Sequence, residues 1–237
     1  RSGDTQRQKA GQHRLRATAA VPGLWRFVRG QAQCRVAEGI VGWADVMLGA
    51  RVRPVLEALS KVPLDWTKLI VTLVDERWVD PVSADSNERL VRETLLQGPA
   101  AAARFVPMKN SAADAYAGQS AVEADFTALP WPFDIILLGM GDDGPTASLF
   151  PEGKELAEGL SSQAYTIAAT PPVAPHQRLS LTAHAILQSR HIFLQIGGAG
   201  KKAVYDQALA GGPIEELPIR LALLQDKVPV EVWIAES

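Results

Sequence analysis

Three short stretches hold residue types able to do chemistry on a small anion: Asp75-Glu76-Arg77, the loop Gly139-Met140-Gly141-Asp142-Asp143-Gly144, and Gly197-Gly198-Ala199-Gly200-Lys201. Two are glycine-rich. Glycines let backbone N–H groups approach an anion closely, and a following helix N-terminus adds partial positive charge. Arg77 and Lys201 can pair with phosphate oxygens, the arginine through its planar fork and the lysine as a point charge. The chemistry this pattern suits is the holding of a phosphorylated small molecule. Each stretch also has a plainer reading. Glycine at a strand-to-helix turn is often there only for positive φ, and Arg77 alone reads as a surface partner of Asp75 or Glu76. The repetition at three places favours a site.

Other chemistries fit poorly. Gly139-x-Gly141-x-x-Gly144 matches the dinucleotide fingerprint, but Asp142 and Asp143 set carboxylates where a pyrophosphate would lie. No second strand ending in an acid follows about 20 residues later. The four histidines, His13, His176, His184 and His191, show neither HExxH spacing nor a cysteine partner, so no metal is expected. His184 and His191 read as surface or hydrogen-bonded residues. No G-x-S-x-G elbow is present. The single cysteine, Cys34, cannot form an internal disulfide, which fits a reducing, cytoplasmic compartment, and it reads as a plain thiol. A net charge of −2 gives no pull toward nucleic acid or an anionic membrane. No stretch approaches the roughly 18 consecutive apolar residues of a membrane span.

Elements that must position these residues follow from the hydrophobic pattern. Gln31 to Leu59 looks helical with a break near Gly49, and Gly39 to Val46 makes a poor strand. Lys68–Val74 and Phe133–Leu138 are β-branched or apolar runs suited to strands buried on both faces. Each runs straight into one of the polar stretches. Tyr165–Ala169, Arg178–Thr182, His191–Ile196 and Val230–Ile234 are further strand candidates. Helices are expected over Glu88–Leu96, capped by Ser86 or Asn87, and over Ala112–Leu129 and Lys201–Ala210. Alternating strands and helices argue for α/β architecture with a mostly parallel sheet covered on both sides. The polar, basic amino end reads as a disordered tail over 1–20, lacking the apolar core of a secretory signal, and 21–237 as a single domain. In such sheets ligands sit outside the carboxyl ends of the strands, where all three polar stretches fall.

Longer motifs carry a resemblance. Leu73-Val74-Asp75-Glu76-Arg77-Trp78-Val79 with Asp85-Ser86-Asn87 resembles the D-E-R-x-V…S-N signature of 6-phosphogluconolactonases. Phe133 to Gly144, continuing through Thr146-Ala147-Ser148-Leu149-Phe150-Pro151, is similar to that family's second signature. Pro171-Pro172 through Arg178-Leu179-Ser180-Leu181-Thr182 resembles its third block, and Gly197 to Lys201 its last. The likeness runs from about Leu56 to the end. It implies a Rossmann-like three-layer α/β/α sandwich shared with glucosamine-6-phosphate deaminases and ribose-5-phosphate isomerases. It also implies hydrolysis of 6-phospho-D-glucono-1,5-lactone to 6-phosphogluconate in the oxidative pentose phosphate pathway, without metal or cofactor. The substrate contacts it implies fall on Gly49, Arg77, Asn87, Gly139, Gly141, Gly144, Arg178 and Lys201.

Two departures stand against that pattern. The family's signature ends in a histidine taken as general base, and the matching position is Pro145. Removing a proton from the attacking water contributes about 10²–10⁴ in rate. Proline has no titratable group and no N–H, although its fixed φ suits the first turn of a following helix. Asp143 and Glu76 are the substitute bases nearest in the motif, and a carboxylate in that role needs a raised pKa to work near neutrality. The second departure is Met47 to Pro54, where the resemblance implies a glycine- and serine-rich loop and only Gly49 and Pro54 match. An active lactonase with another base, an impaired sugar-phosphate binder, and a sugar-phosphate isomerase or deaminase are the three readings in play. Pro145→His separates the first two in an assay with freshly made lactone. Hydrolysis rises by orders of magnitude if the chain is impaired at this position, whereas no gain points to the 47–54 loop.

Overall fold

The computed structural model describes residues 15–17, 39–43 and 52–235. Its strands are β1 (Leu15–Ala17), β2 (Gly39–Trp43), β3 (Leu69–Leu73), β4 (Asp75–Arg77), β5 (Arg104–Phe105), β6 (Ile135–Leu138), β7 (Thr166–Ala169), β8 (Arg178–Leu181), β9 (Ile192–Gly197) and β10 (Val230–Ala235). Its helices are α1 (Arg53–Leu59), α2 (Asn87–Thr94), α3 (Ala115–Thr127), α4 (Leu156–Ser161), α5 (Ala183–Leu187), α6 (Ala199–Leu209) and α7 (Arg220–Leu223). Gly49, Cys34 and His13 lie outside the described residues.

Seven strands form one sheet in the order β1-β10-β9-β6-β2-β3-β5, and every pairing in it is parallel. The runs expected to be buried on both faces are so: Ile70, Val71 and Leu73 of β3, all of β6, and Ile192 to Ile196 of β9. Burial without alternation means side chains pack on both faces of the sheet. Helix starts follow their capping chemistry. Ser86, rather than Asn87, caps α2 by accepting from Arg89 N; Asp114 caps α3 through Ala117 N, and Thr182 caps α5 through Ala185 N.

The pattern misleads in three places. A strand, β2, occupies Gly39–Trp43 within the stretch expected to be helical, and it sits mid-sheet between β6 and β3. Pairing on both edges outweighs the weak strand propensity of Gly39 and Gly42. Leu15–Ala17, expected within a disordered tail, pair in parallel with Val232–Ile234 of β10. Third, β7 and β8 are not in the parallel sheet. They join β4 in a separate antiparallel sheet of order β4-β8-β7.

Because all seven strands run the same way, the loops after β3, β6 and β9 emerge at one edge of the sheet. From β2 the chain builds outward through β3 and β5, then returns to the opposite side of β2 for β6 and β9. That reversal creates a crevice at the carboxyl edge.

Gly118 in α3 is where this frame is packed most closely against the crevice-forming segments. A Cβ built there would lie 2.1 Å from Trp78 Cη2 and 2.9 Å from Asn110 Oδ1. In an open helix Gly→Ala gains about 1 kcal/mol, but forcing a methyl into rigid packing costs about 1–3 kcal/mol. Overpacking wins, so Gly118→Ala is expected to lower the melting temperature by several degrees; an unchanged or higher value would contradict this packing.

Candidate functional site

Val74 is the branch point between the two sheets. After β3 the chain passes Val74, whose carbonyl accepts from Leu181 N at 2.8 Å, and continues as β4 along β8. The register sets Asp75 opposite Ser180, Glu76 opposite Leu179 and Arg77 opposite Arg178. Directly opposed residues of an antiparallel pair share a face, so Asp75, Arg77, Arg178 and Ser180 point one way and Glu76 the other.

That shared face opens into a cleft of about 240 Å³, lined by Asp75, Arg77, Asp85, Ser148, His176 and Arg178, with Phe150 and Pro175 as apolar wall. Like charges directly across a strand pair repel. Two arginines in that relation need anions nearby, and the protein supplies two of them. Arg77 NH1 donates to the Asp85 carbonyl at 3.0 Å and lies 3.9 Å from Asp85 Oδ1. Asp75 is only 5% exposed. Its Oδ2 accepts from Ser148 Oγ at 2.6 Å, and its Oδ1 from Asn87 Nδ2 at 3.0 Å. Burial pushes the Asp75 carboxyl above its ordinary value, against the pull of Ser148, Arg178, Arg77 and Asn87.

Glu76 faces α2 rather than the cleft and is 1% exposed. Its Oε1 accepts from Arg77 N and Asn87 N, each at 2.8 Å, and its Oε2 from Glu88 N at 2.8 Å and Ser86 Oγ at 3.0 Å. Two of these donors belong to the first turn of α2, which would otherwise lack partners. Burial pushes Glu76 up to about 7, outweighing the pull of those four donors. A value near neutrality would suit a general base, but both oxygens are occupied and none faces the cleft, so the expectation of a Glu76 base is corrected to a helix-capping role. Asp143 is exposed and lies outside the cleft lining.

The glycine loop is built largely to hold itself. Gly144 has φ 77°, and a Cβ there would meet Leu217 Cδ2 at 2.4 Å. Gly141 N donates to Pro145 O at 3.0 Å and Gly144 N to Gly141 O at 3.1 Å. These two N–H groups are therefore turned away from a ligand. Lys201 donates to Met140 O at 2.6 Å, tying the start of α6 to the loop, and Thr146 Oγ1 donates to Gly139 O at 3.0 Å. No helix follows Pro145: residues 146–149 form a tight turn in which Ala147 has φ 49°, and α4 begins only at Leu156. The turn instead aims Ala147 and Ser148 into the cleft.

Of the expected contact residues, then, Arg77 and Arg178 meet in the cleft, and Asn87 stands behind it holding Asp75. Gly139, Gly141, Gly144 and Lys201 form a second cluster, apart from the cleft lining. Sequence reasoning missed His176 and Asp85, whose rings and carboxylates touch across 91 residues of chain: His176 Nε2 lies 3.3 Å from Asp85 Oδ2. No local signal marked them: His176 lies in the loop before β8 with φ 71°, so strand alternation does not relate it to Arg178. Among the described residues no group of three histidine, cysteine or acidic side chains is placed to hold a metal, and no helix is long and apolar enough to cross a membrane.

A parallel sheet with a charged cleft at its carboxyl edge, in which two arginines face two aspartates, defines an α/β protein. Comparison makes the class specific. The family model for glucosamine-6-phosphate isomerases/6-phosphogluconolactonase matches residues 43–232. The chain is 43% identical to a 6-phosphogluconolactonase of Pseudomonas putida over 203 residues, 84% of this chain and 82% of that one. It is 40% identical to a 6-phosphogluconolactonase of Pseudomonas aeruginosa over 205 residues, 85% of each. Among solved structures, a 6-phosphogluconolactonase from Shewanella baltica superposes with a TM-score of 0.87 at 37% identity, covering 94% of this chain and 97% of that one. The chain belongs to the glucosamine-6-phosphate isomerase/6-phosphogluconolactonase family.

The buried Glu76 gives a pH signature. Its folded-state value of about 7 lies above the ordinary 4.5. Stability linked to it is fully present below about pH 4.5 and is lost as pH rises through 7. In urea unfolding, the midpoint of the wild type is expected to fall relative to that of Glu76→Gln between pH 5 and 8. A gap that stays constant with pH would contradict this account.

Proposed function

We propose that this chain hydrolyses 6-phospho-D-glucono-1,5-lactone to 6-phosphogluconate, acting as a carboxylic ester hydrolase of the pentose phosphate pathway. The observation that carries the reading is the juxtaposition of Arg77 and Arg178 as cross-strand partners on one wall of the cleft. Their repulsion is relieved most fully by an anionic ligand, and two guanidinium forks suit phosphate and carboxylate oxygens. Sugar hydroxyls would find Asp85 beside Arg77 and Ser148 on the turn that forms the other wall. The lactone carries no chemistry that needs a redox group, so the reading includes no cofactor. A three-layer α/β/α sandwich, one sugar-phosphate-binding domain, and a cytoplasmic location without nucleic-acid or membrane partners complete it. Gly139, Gly141, Gly144 and Lys201 enter as the second cluster, shaping the far end of the crevice.

One observation favours a second reading, a sugar-phosphate binder without turnover. Pro145 is buried, has no N–H, and its carbonyl is engaged by Gly141. At that position the chain offers neither a base nor an oxyanion donor. Hydrolysis of freshly generated lactone, compared with the uncatalysed rate, decides between the two. Arg77→Ala is expected to weaken 6-phosphogluconate binding by about 10- to 100-fold, the worth of one charge-assisted contact. Calorimetric titration checks this, and undiminished affinity would sink the reading of the cleft.

A further inference from the structure

The cleft contains an imidazole to which the reading above gives no task. His176 sits in the loop between β7 and β8, and its side chain is 36% exposed. Its backbone adopts φ 71°, a left-handed conformation uncommon outside glycine, and Ala147 across the cleft does the same at φ 49°. Strained positions of this kind persist where surrounding structure imposes them, and they concentrate at functional sites. The ring is held by Asp85, whose Oδ2 lies 3.3 Å from His176 Nε2 while its other atoms receive Arg77.

Chemistry assigns the ring's tautomer. A carboxylate accepts hydrogen bonds and does not donate them, so the proton of neutral His176 belongs on Nε2 and the lone pair on Nδ1. The remaining cleft groups are poorly suited to take a proton. Asp75 has both oxygens bonded, Asp85 is shared by Arg77 and His176, Ser148 donates to Asp75, and Arg77 and Arg178 are already cations.

We propose that His176, oriented by Asp85, is the proton acceptor for hydrolysis in this cleft, an inference that rests on the lactonase reading. Water oxygen bonds to the lactone carbonyl carbon as Nδ1 takes a water proton, and the carbonyl π electrons move to oxygen. The resulting oxyanion collapses, the bond from that carbon to the ring oxygen breaks, and the ring oxygen takes the proton back from the imidazolium. The products are the open-chain hydroxy acid and a neutral His176; the acid then ionises into solvent. Asp85 stabilises the imidazolium and fixes the ring, so it is a positioning residue.

His176→Asn is the cleanest variant, because asparagine tolerates the left-handed backbone and its amide can still bond Asp85. With freshly generated lactone, kcat is expected to fall by about 10²–10⁴-fold. Calorimetric affinity for 6-phosphogluconate should stay close to that of the wild type, which also shows that the variant is folded. Asp85→Asn is expected to lower kcat by about tenfold while leaving KM and 6-phosphogluconate affinity near the wild-type values, since only the orientation of the ring is loosened. A matching loss of affinity would mean that Asp85 is merely structural. Wild-type kcat in His176→Asn, or a loss of product affinity matching its loss of kcat, overturns the proposal while leaving the lactonase reading intact. A wild-type chain that binds 6-phosphogluconate but gives only the background rate overturns both this proposal and hydrolysis, and leaves the sugar-phosphate binder.

Discussion

Asp75 is buried within the electrostatic reach of Arg178 and Arg77, and two other pieces of chain bond its carboxylate and carbonyl. Ser148 reaches it from the turn after the glycine loop and Asn87 from the first residue of α2. Removing two like charges from water onto facing positions of a strand pair is unfavourable unless an anion neutralises them. A fixed acid at this point lets the small antiparallel sheet dock on the carboxyl edge of the parallel one. The cleft walls are consequences of that docking: β4 and β8 make one, the 146–149 turn another. Breaking the network from one side would leave an uncompensated buried charge, which is why its members act together. Glu76 complements it from the other face of the same strand by capping α2, so three consecutive residues carry a sheet junction, a helix start and the proposed ligand contact.

Much of the fold was legible because burial on both faces leaves a strong mark. The runs at β3, β6, β9 and β10 read as strands, and Ser86, one of two candidate caps, marked the start of α2. What escaped is what local pattern does not encode. β2 has glycine at two of its five positions and gains its identity from two neighbours in the sheet. β7 and β8 looked like members of the main sheet, since a short buried run carries no sign of which sheet will receive it. The site divided the same way. Arg77 and Arg178 could be picked out by type, but their facing each other depends on the β4–β8 register. The nearness of His176 to Asp85 is a tertiary contact across 91 residues. Glu76 illustrates the converse: adjacency in the motif suggested chemistry, and geometry gives it a cap.

Family membership and catalytic competence rest on different residues in this chain. Membership is carried by long stretches of sheet and loop, whereas turnover depends on one group placed to take a proton. The Gly139–Pro145 loop keeps its self-contained hydrogen bonding with proline at its end, because the carbonyl of Pro145, rather than its absent N–H, is what Gly141 uses. The scaffold therefore tolerates the change that removes the expected base. An anion-binding wall can persist without a base beside it, so binding and turnover have to be tested as separate properties.

The measurement that bears most directly on the central claim is a crystal structure of the chain soaked with 6-phosphogluconate. The account predicts the ligand in the cleft, with its anionic oxygens within hydrogen-bond reach of the Arg77 and Arg178 guanidinium groups. A ligand seated instead at the amino end of α6, beside Gly200 and Lys201, with the arginine cleft empty, would contradict it.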